Sequence, residues 1–491
     1  MLKKSISCLI VVFFLMAILS GSVLACTTII VGNRASEDGS VMVAHSEELG
    51  ISNAQHFVSV PRKTYEEGDV FTLFSGATIP QPEVTYAYLA SKVYDIDPVP
   101  GDFTGGINEH QVTVGNNMAW TRDLPPEYQD DPWYVDDQGV LWSEFTQLVL
   151  ERAKTAREGV KLMGYLVENY GLTGDPGTMF AIADPNEGWW IEIAKADEDQ
   201  WIAERSPDRE ATMRANAFRI GEVDFDRLER GKNPKDILYS PNIVDFAIDK
   251  GWYDPEIDGP FNFTEVYGCP ERTPRPANTV RHELVDKKLA DLGRNITIND
   301  LKSILRWHFE DTEMDLSDDY DTSPHFTGVR TICRHNTIMS SVAHLRNRIP
   351  GKPQMPDEFK GMIWKNMGTS CTGTFIPYYV GTLEFATPYT VGTGEYSPDS
   401  AYWIFNELTE LVDEDYKERH GMVKDHWAEF ESNIKSTQAL DEHVYSLYRE
   451  KHPLYTEEDK QSALEYVTEY SKELALQAYY DAIALVNALK E

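Results

Sequence analysis

An α+β chain with layered sheets is what this sequence predicts. Short β-branched and aromatic runs arrive in groups, and longer stretches with helical apolar spacing stand between the groups. Neither G-x-G-x-x-G nor G-x-x-x-x-G-K-[ST] occurs to mark a doubly wound nucleotide fold. The first group is CTTIIVG, a polar turn NRASEDGS, then VMVAH (26–45), which predicts a hairpin. HQVTVGNN (110–117) predicts a further strand, with Asn108 and Glu109 shaping the tight turn behind Gly105 and Gly106. Residues 142–171 have helical apolar spacing and stop at Gly171. Residues 177–206 hold three short runs divided by DPNEG and ADED, a meander. NITINDLKSILRWHFED (295–311) predicts a helix capped by Asn299, and VRTICRHNTIMSSVAHLR (329–346) predicts another hairpin. Two helix-rich blocks follow, 398–433 and 457–490, the C-terminal helices (about 400–491) of a domain spanning 26–491.

The chain opens with MLKKSISCLIVVFFLMAILSGSVLA, a basic start, an apolar run and small residues at Val23 and Ala25. That pattern predicts a signal peptide over 1–25, cleaved before Cys26, and a protein that is secreted or held in the cell envelope. Removing Lys3 and Lys4 with the leader moves the formal charge from −35 to about −37. So acidic a surface argues against nucleic acid and anionic lipid as partners, because both need Lys and Arg to neutralise phosphates. No later stretch is apolar enough to span a bilayer, so no membrane partner is expected after cleavage. Hydrophobic residues at 42% supply a sizeable core. After Cys8 leaves with the leader, Cys26, Cys269, Cys333 and Cys371 remain. No CxxC and no His spacing suggests zinc, so neither metal nor cofactor is expected. Sequence leaves disulfide pairing among Cys269, Cys333 and Cys371 open, and Cys333 reads as a small buried hydrophobe. The acidic segment 308–323 lacks EF-hand spacing and reads as a solvated loop.

Cleavage before Cys26 would put a nucleophilic thiol and a free α-amine on one residue. An α-amine titrates near pH 8, so a useful fraction is neutral and able to take the thiol's proton during attack. The same position admits a second reading: a Cys behind V-L-A is a loose lipobox, and an acylated Cys26 would be an anchor without a base. Residues 20–26 alone do not separate the two. Thr27 and Thr28 read as structural strand formers.

The downstream stretches do separate them. CTTIIVGNRASEDGSVMVAHSEE (26–48), GGINEHQVTVGNN (105–117), DPNEGWWIEI (184–193) and ERSPDREATMRANAFRIGEVD (204–224) run in an order that resembles the Cys-nucleophile dipeptidases of the N-terminal nucleophile hydrolase superfamily. VRTICRHNTIMSSVAHLRNRIP (329–350), WKNMGTSCTGTFIPYYVG (364–381) and SAYWIFNELTELV (400–412) complete the series. The resemblance implies a four-layer αββα sandwich and amide hydrolysis through a thioester on Cys26. It further implies that Glu48 holds the α-ammonium, that Asn216 donates to the oxyanion with a backbone N–H near Asn116 or Asn117, and that Arg334 brings positive charge. His45 stands where these dipeptidases carry an Arg; it either supplies an electrostatic contact to the thiol or is an ordinary strand histidine. Glu47 alternates to the strand face opposite Glu48 and is expected outside the site.

The expected function is therefore an exported dipeptidase acting on dipeptides or short peptides. The alternatives are an amidase acting on other linear C–N bonds, such as N-acyl amino acids, and a non-catalytic envelope lipoprotein acylated at Cys26.

Overall fold

The computed structural model describes residues 26–95, 101–136, 138–225, 236–317, 323–352, 355–452 and 454–491. The expected signal peptide, 1–25, lies outside the described residues. Two antiparallel sheets make the centre. The strands of the first are β1 (Thr27–Val31), β2 (Val41–Glu47), β10 (Ala211–Arg214), β12 (Met339–Leu345), β13 (Met362–Met367) and β14 (Ile376–Tyr379), in the order β10-β1-β2-β12-β13-β14. The second holds β3 (Gln55–Val60), β4 (Tyr88–Val93), β5 (Phe103–Asn108), β6 (Thr113–Met118), β7 (Gly177–Ala183), β8 (Gly188–Ala194), β9 (Gln200–Arg205) and β11 (Ile237–Tyr239). Its order is β11-β9-β8-β7-β6-β5-β4-β3, so its strands pair in the order in which they occur along the chain.

Alternation along β1 and β2 decides how the layers stack. Ile30, Val41 and Val43 point inward and share a buried cluster with Ala181 and Trp190 of the second sheet. Ile29, Val31, Met42 and Ala44 point the other way, onto Leu301 and Ile304 of helix α4 and Leu284 and Val285 of α3. These two helices span Pro276–Leu292 (α3) and Ile298–Leu305 (α4). On the far side, α1 (Trp142–Arg152) and α2 (Ala156–Tyr170) cover the second sheet, with Phe145, Leu148, Val160 and Met163 against Ile182 and Ile191. The result is a four-layer αββα sandwich. Helices α5 (Ala401–Glu414), α6 (Tyr416–Lys451) and α7 (Glu457–Lys490) add to the first sheet's side, α7 lying against β14. Among the described residues no helix is long and apolar enough to cross a membrane.

Four local expectations change. The helix expected over 142–171 is two helices, because Ala153 is extended and Thr155 caps α2 through Glu158 N–H. Asn108 holds that break: its Nδ2 donates to Leu150 O and Ala153 O, while its Oδ1 accepts from His110 and Val112 in the tight turn. Helix α4 is capped by Thr297 rather than Asn299, since Thr297 and Asp300 form a reciprocal capping box. Residues 329–346 are not a hairpin; only Met339–Leu345 is strand, and its partners are β2 and β13. The block expected over 398–433 runs on, as α5 and then α6, to Lys451.

Candidate functional site

The hairpin register builds the site. Thr27 pairs with Ser46 and Thr28 with His45, so one step further Cys26 stands opposite Glu47. Cys26, Thr28, His45 and Glu47 thereby share the inner face, looking at β6 of the second sheet. Gly115 of β6 permits this closeness; a Cβ there would stand 3.3 Å from the His45 ring.

On that face the polar groups form one chain. Cys26 Sγ donates to Glu47 Oε1 at 3.0 Å, and Glu47 Oε2 meets His45 Nε2 at 3.1 Å. His45 Nδ1 meets Thr28 Oγ1 at 2.7 Å, and Thr28 Oγ1 donates to Asn117 Oδ1 at 2.5 Å. Asn117 Nδ2 donates to Arg214 O, which fixes its amide orientation. With the Thr28 hydroxyl hydrogen committed to Asn117, Nδ1 of His45 must be the donor to Thr28. Burial, followed by the Glu47 charge and hydrogen bond, pushes the Cys26 thiol well above its ordinary value. Cys26 therefore rests as a thiol, and a nucleophilic role for it would require a base.

The opposite face of the same strands carries the cations. Arg281, fully buried on α3, donates from Nη1 to Cys26 O (3.0 Å) and Thr27 Oγ1 (3.2 Å). Its Nη2 reaches Asn216 Oδ1 at 2.9 Å and Asn278 Oδ1 at 3.3 Å. Burial and the neighbouring Arg330 charge loosen its proton to about 9, which still leaves a cation at neutral pH. Glu48, also fully buried, accepts from Ser46 Oγ at 3.2 Å and Arg330 Nη2 at 3.3 Å. Burial raises its carboxyl, and the charges of Arg330, Arg281 and Arg334 oppose that rise.

The sequence-derived residues therefore separate. Cys26 is linked to His45 through Glu47 and, by its carbonyl, to Asn216 through Arg281, while Asn216 Nδ2 donates one hydrogen to Met118 O at 2.9 Å. The carboxylate bonded to the thiol is Glu47, not Glu48, because Cys26 and Glu47 share strand parity. Glu48 is across the strand plane; only its charge and backbone bear on the thiol. Arg334 spends its guanidinium on Val329 O, at 3.1 Å, and its charge acts on Glu48, whereas Arg281 is the arginine that touches Cys26. Arg281 was missed because nothing local in PANTVRHELVDKKLADL distinguishes it from a surface helix arginine. The side-chain contacts of Asn117, Thr28 and Glu47 went unread for want of a register, which the hairpin pairing supplies, and Glu47, expected outside the site, lies in it.

A cavity of about 600 Å³ lies beyond the end of β2, lined by Leu49, Phe71, Asp102, Phe103, Trp133 and Trp142 among others. Burial, and after it the Glu47 charge, raises the Asp102 carboxyl. Cys26, His45 and Glu47 also bring their ligand atoms within 4.8 Å of one another, but they are already bonded to each other and we assign no metal there.

A buried thiol at the leading end of an inner strand of an αββα sandwich, with a carboxylate on its sulfur and a guanidinium on its carbonyl, fits a cysteine-type hydrolase of amide bonds. The family is then specific. The chain belongs to peptidase family C69, whose pattern it matches over residues 25–429. A probable dipeptidase of Latilactobacillus sakei is 26% identical over 413 residues, 80% of this chain and 82% of that one. A probable dipeptidase A of Streptococcus pyogenes serotype M3 is 27% identical over 490 residues, 94% and 98% of the two chains. Among solved structures, penicillin V acylase from Agrobacterium tumefaciens superposes with a TM-score of 0.33 at 12% identity, covering 72% of this chain and 86% of that one. At that score the fold rests on the strand order above.

Proposed function

We propose that this peptidase is an exported dipeptidase whose working form begins at Cys26. The observation that carries the proposal is the arrangement around that residue: Sγ on Glu47, the carbonyl on Arg281, and Asn216 bound to the same guanidinium. The dipeptidase names of relatives that align over most of this chain support the substrate class.

In this reading Cys26 Sγ attacks the peptide carbonyl, and the free α-amine takes the thiol proton and delivers it to the leaving amine. The thioester that remains is hydrolysed by water, which the same amine deprotonates. Glu47 holds the thiol in place before attack, and His45 holds Glu47. The Asn216 Nδ2 hydrogen that Met118 O does not take is available to the oxyanion. The cavity beyond the end of β2 would supply apolar walls from Phe103 and Trp142, with the Asp102 carboxyl group available to the substrate's ammonium group.

The test joins one mass measurement to one assay. Mature protein from its export route should begin at Cys26 with a free amine and cleave dipeptides, and Cys26→Ser should lose turnover by several orders of magnitude. A diacylated Cys26, or undiminished turnover in Cys26→Ser, would overturn the mechanism. Turnover of N-acyl amino acids but not dipeptides would overturn the substrate class.

A further inference from the structure

A second gathering of reactive side chains lies outside the peptidase machinery. His308, His325, Cys333 and Cys371 are all buried, and one ligand atom from each lies within 4.8 Å of all the others. They come from four separate segments: the turn after α4, the short helix Pro324–Phe326, the loop before β12, and the connection from β13 to β14. His325 Nε2 stands 3.2 Å from Cys371 Sγ and 3.8 Å from Cys333 Sγ.

Each imidazole is held from behind. His325 Nδ1 bonds Asp413 Oδ1 at 2.7 Å, and His308 Nδ1 bonds Glu310 Oε1 at 3.0 Å. A carboxylate on Nδ1 fixes the tautomer that leaves the Nε2 lone pair free, the usual support of a metal-bound histidine. The other nitrogen of His308, Nε2, is buried and turned to the Cys333 sulfur rather than to an oxygen acceptor. A buried imidazole nitrogen held by nothing stronger than a thiol is weakly satisfied, and a cation at the centre of the cluster would satisfy it.

We propose that these four side chains bind one zinc ion as a structural site. Two sulfurs and two nitrogens at tetrahedral corners are a zinc donor set, with metal–ligand bonds of about 2.0–2.3 Å and hence ligand–ligand edges of roughly 3.6 Å. The separations of 3.2 and 3.8 Å straddle that edge. Both thiols bind as thiolates and release two protons to solvent, so the two sulfur charges balance the dication. Four protein ligands leave no open position, which makes the ion structural rather than catalytic. A cavity of about 400 Å³ lined by His308, Cys371 and His420 provides the entry path. Bound there, the ion would clamp the 323–338 loop, which carries Arg330 to Glu48, onto the connection between β13 and β14.

The test uses the full mature chain, purified under reducing conditions without a metal-affinity tag. Elemental analysis should find about one zinc per chain, or reach it when zinc chloride is added back after chelation. Cys333→Ser and Cys371→Ser should each lose that zinc, while Cys269→Ser keeps it. Should the two variants fail to fold, cobalt(II) loaded into the unaltered protein should give tetrahedral ligand-field bands with thiolate-to-metal charge transfer. Three results would each overturn the site: no zinc uptake, an octahedral cobalt spectrum without thiolate charge transfer, or a Cys333–Cys371 disulfide in a non-reducing peptide map. None of these readouts depends on peptidase turnover.

Discussion

Replacing Glu47 by Gln keeps the shape beside Cys26 and removes one charge 3.0 Å from its sulfur. A thiolate and a carboxylate at that separation repel by about 1.4 kcal/mol in bulk water and about 5.5 kcal/mol at an effective dielectric of about 20. Because about 1.4 kcal/mol is a factor of ten, the substitution should raise the thiolate fraction at a given pH by between about tenfold and about ten-thousandfold. The assay is the pH dependence of Cys26 alkylation by iodoacetamide, followed by peptide mass spectrometry so that the other three cysteines do not contribute. The Glu47→Gln profile should move to lower pH, whereas Glu48→Gln should move it less, since Arg330, Arg281 and Arg334 already offset the Glu48 charge. Turnover should fall despite the more acidic thiol, because His45 loses its carboxylate partner. A Glu47→Gln profile that superimposes on the parent, or a larger displacement from Glu48→Gln, would falsify the assignment of Glu47 to the thiol.

Other predictions follow from the same geometry. Arg281→Ala strips donors from Cys26 O, Thr27 Oγ1 and Asn216 Oδ1 in a fully buried place, and should cost about 3–5 kcal/mol in urea unfolding as well as most of the activity. An unchanged urea midpoint would contradict that. Asn216→Ala should lower kcat by about 10²–10³-fold, the usual loss of one oxyanion donor, with a parental rate counting against the role. On the far side of the first sheet, Glu431 is buried, yet Lys302 and Arg306 hold its carboxyl down to about 2 against an ordinary 4.5. Its folded value is the lower one, so its roughly 3 kcal/mol is complete above pH about 4.5 and disappears as pH falls towards 2. Lys302, its proton loosened by burial to about 8, stays a cation across that window. Thermal unfolding from pH 5 to 2 should therefore be shallower in Glu431→Gln than in the parent, and equal slopes would sink this account.

Much of the fold was legible because its signals are local. The hairpin of β1 and β2, the strand at 113–118 and the meander of β7, β8 and β9 were each announced by β-branched runs and polar turns. The helix ends were less legible. Thr297 outcompeted Asn299 as a cap because only Thr297 has an acidic residue three places on to complete the reciprocal pair. The hairpin expected over 329–346 failed because Ile332 and Cys333 are apolar for a different reason: they are buried in a loop. Within the site, the parity argument correctly placed Glu47 and Glu48 on opposite faces. What fails is the expectation that Glu47 stands outside the site, because the hairpin register puts it beside the Cys26 sulfur.

By itself the sequence determined the layered α+β class and the peptidase family and singled out Cys26, since these follow from residue order: alternation along short strands and an ordered series of motifs. Only the tertiary structure decided which groups surround Cys26. Arg281 lies 255 positions from Cys26, and the four segments of the His/Cys cluster span residues 308 to 371. No local pattern encodes such neighbours, because they meet through strand register and helix docking, which are set by burial of the whole core rather than by the residues that do the chemistry.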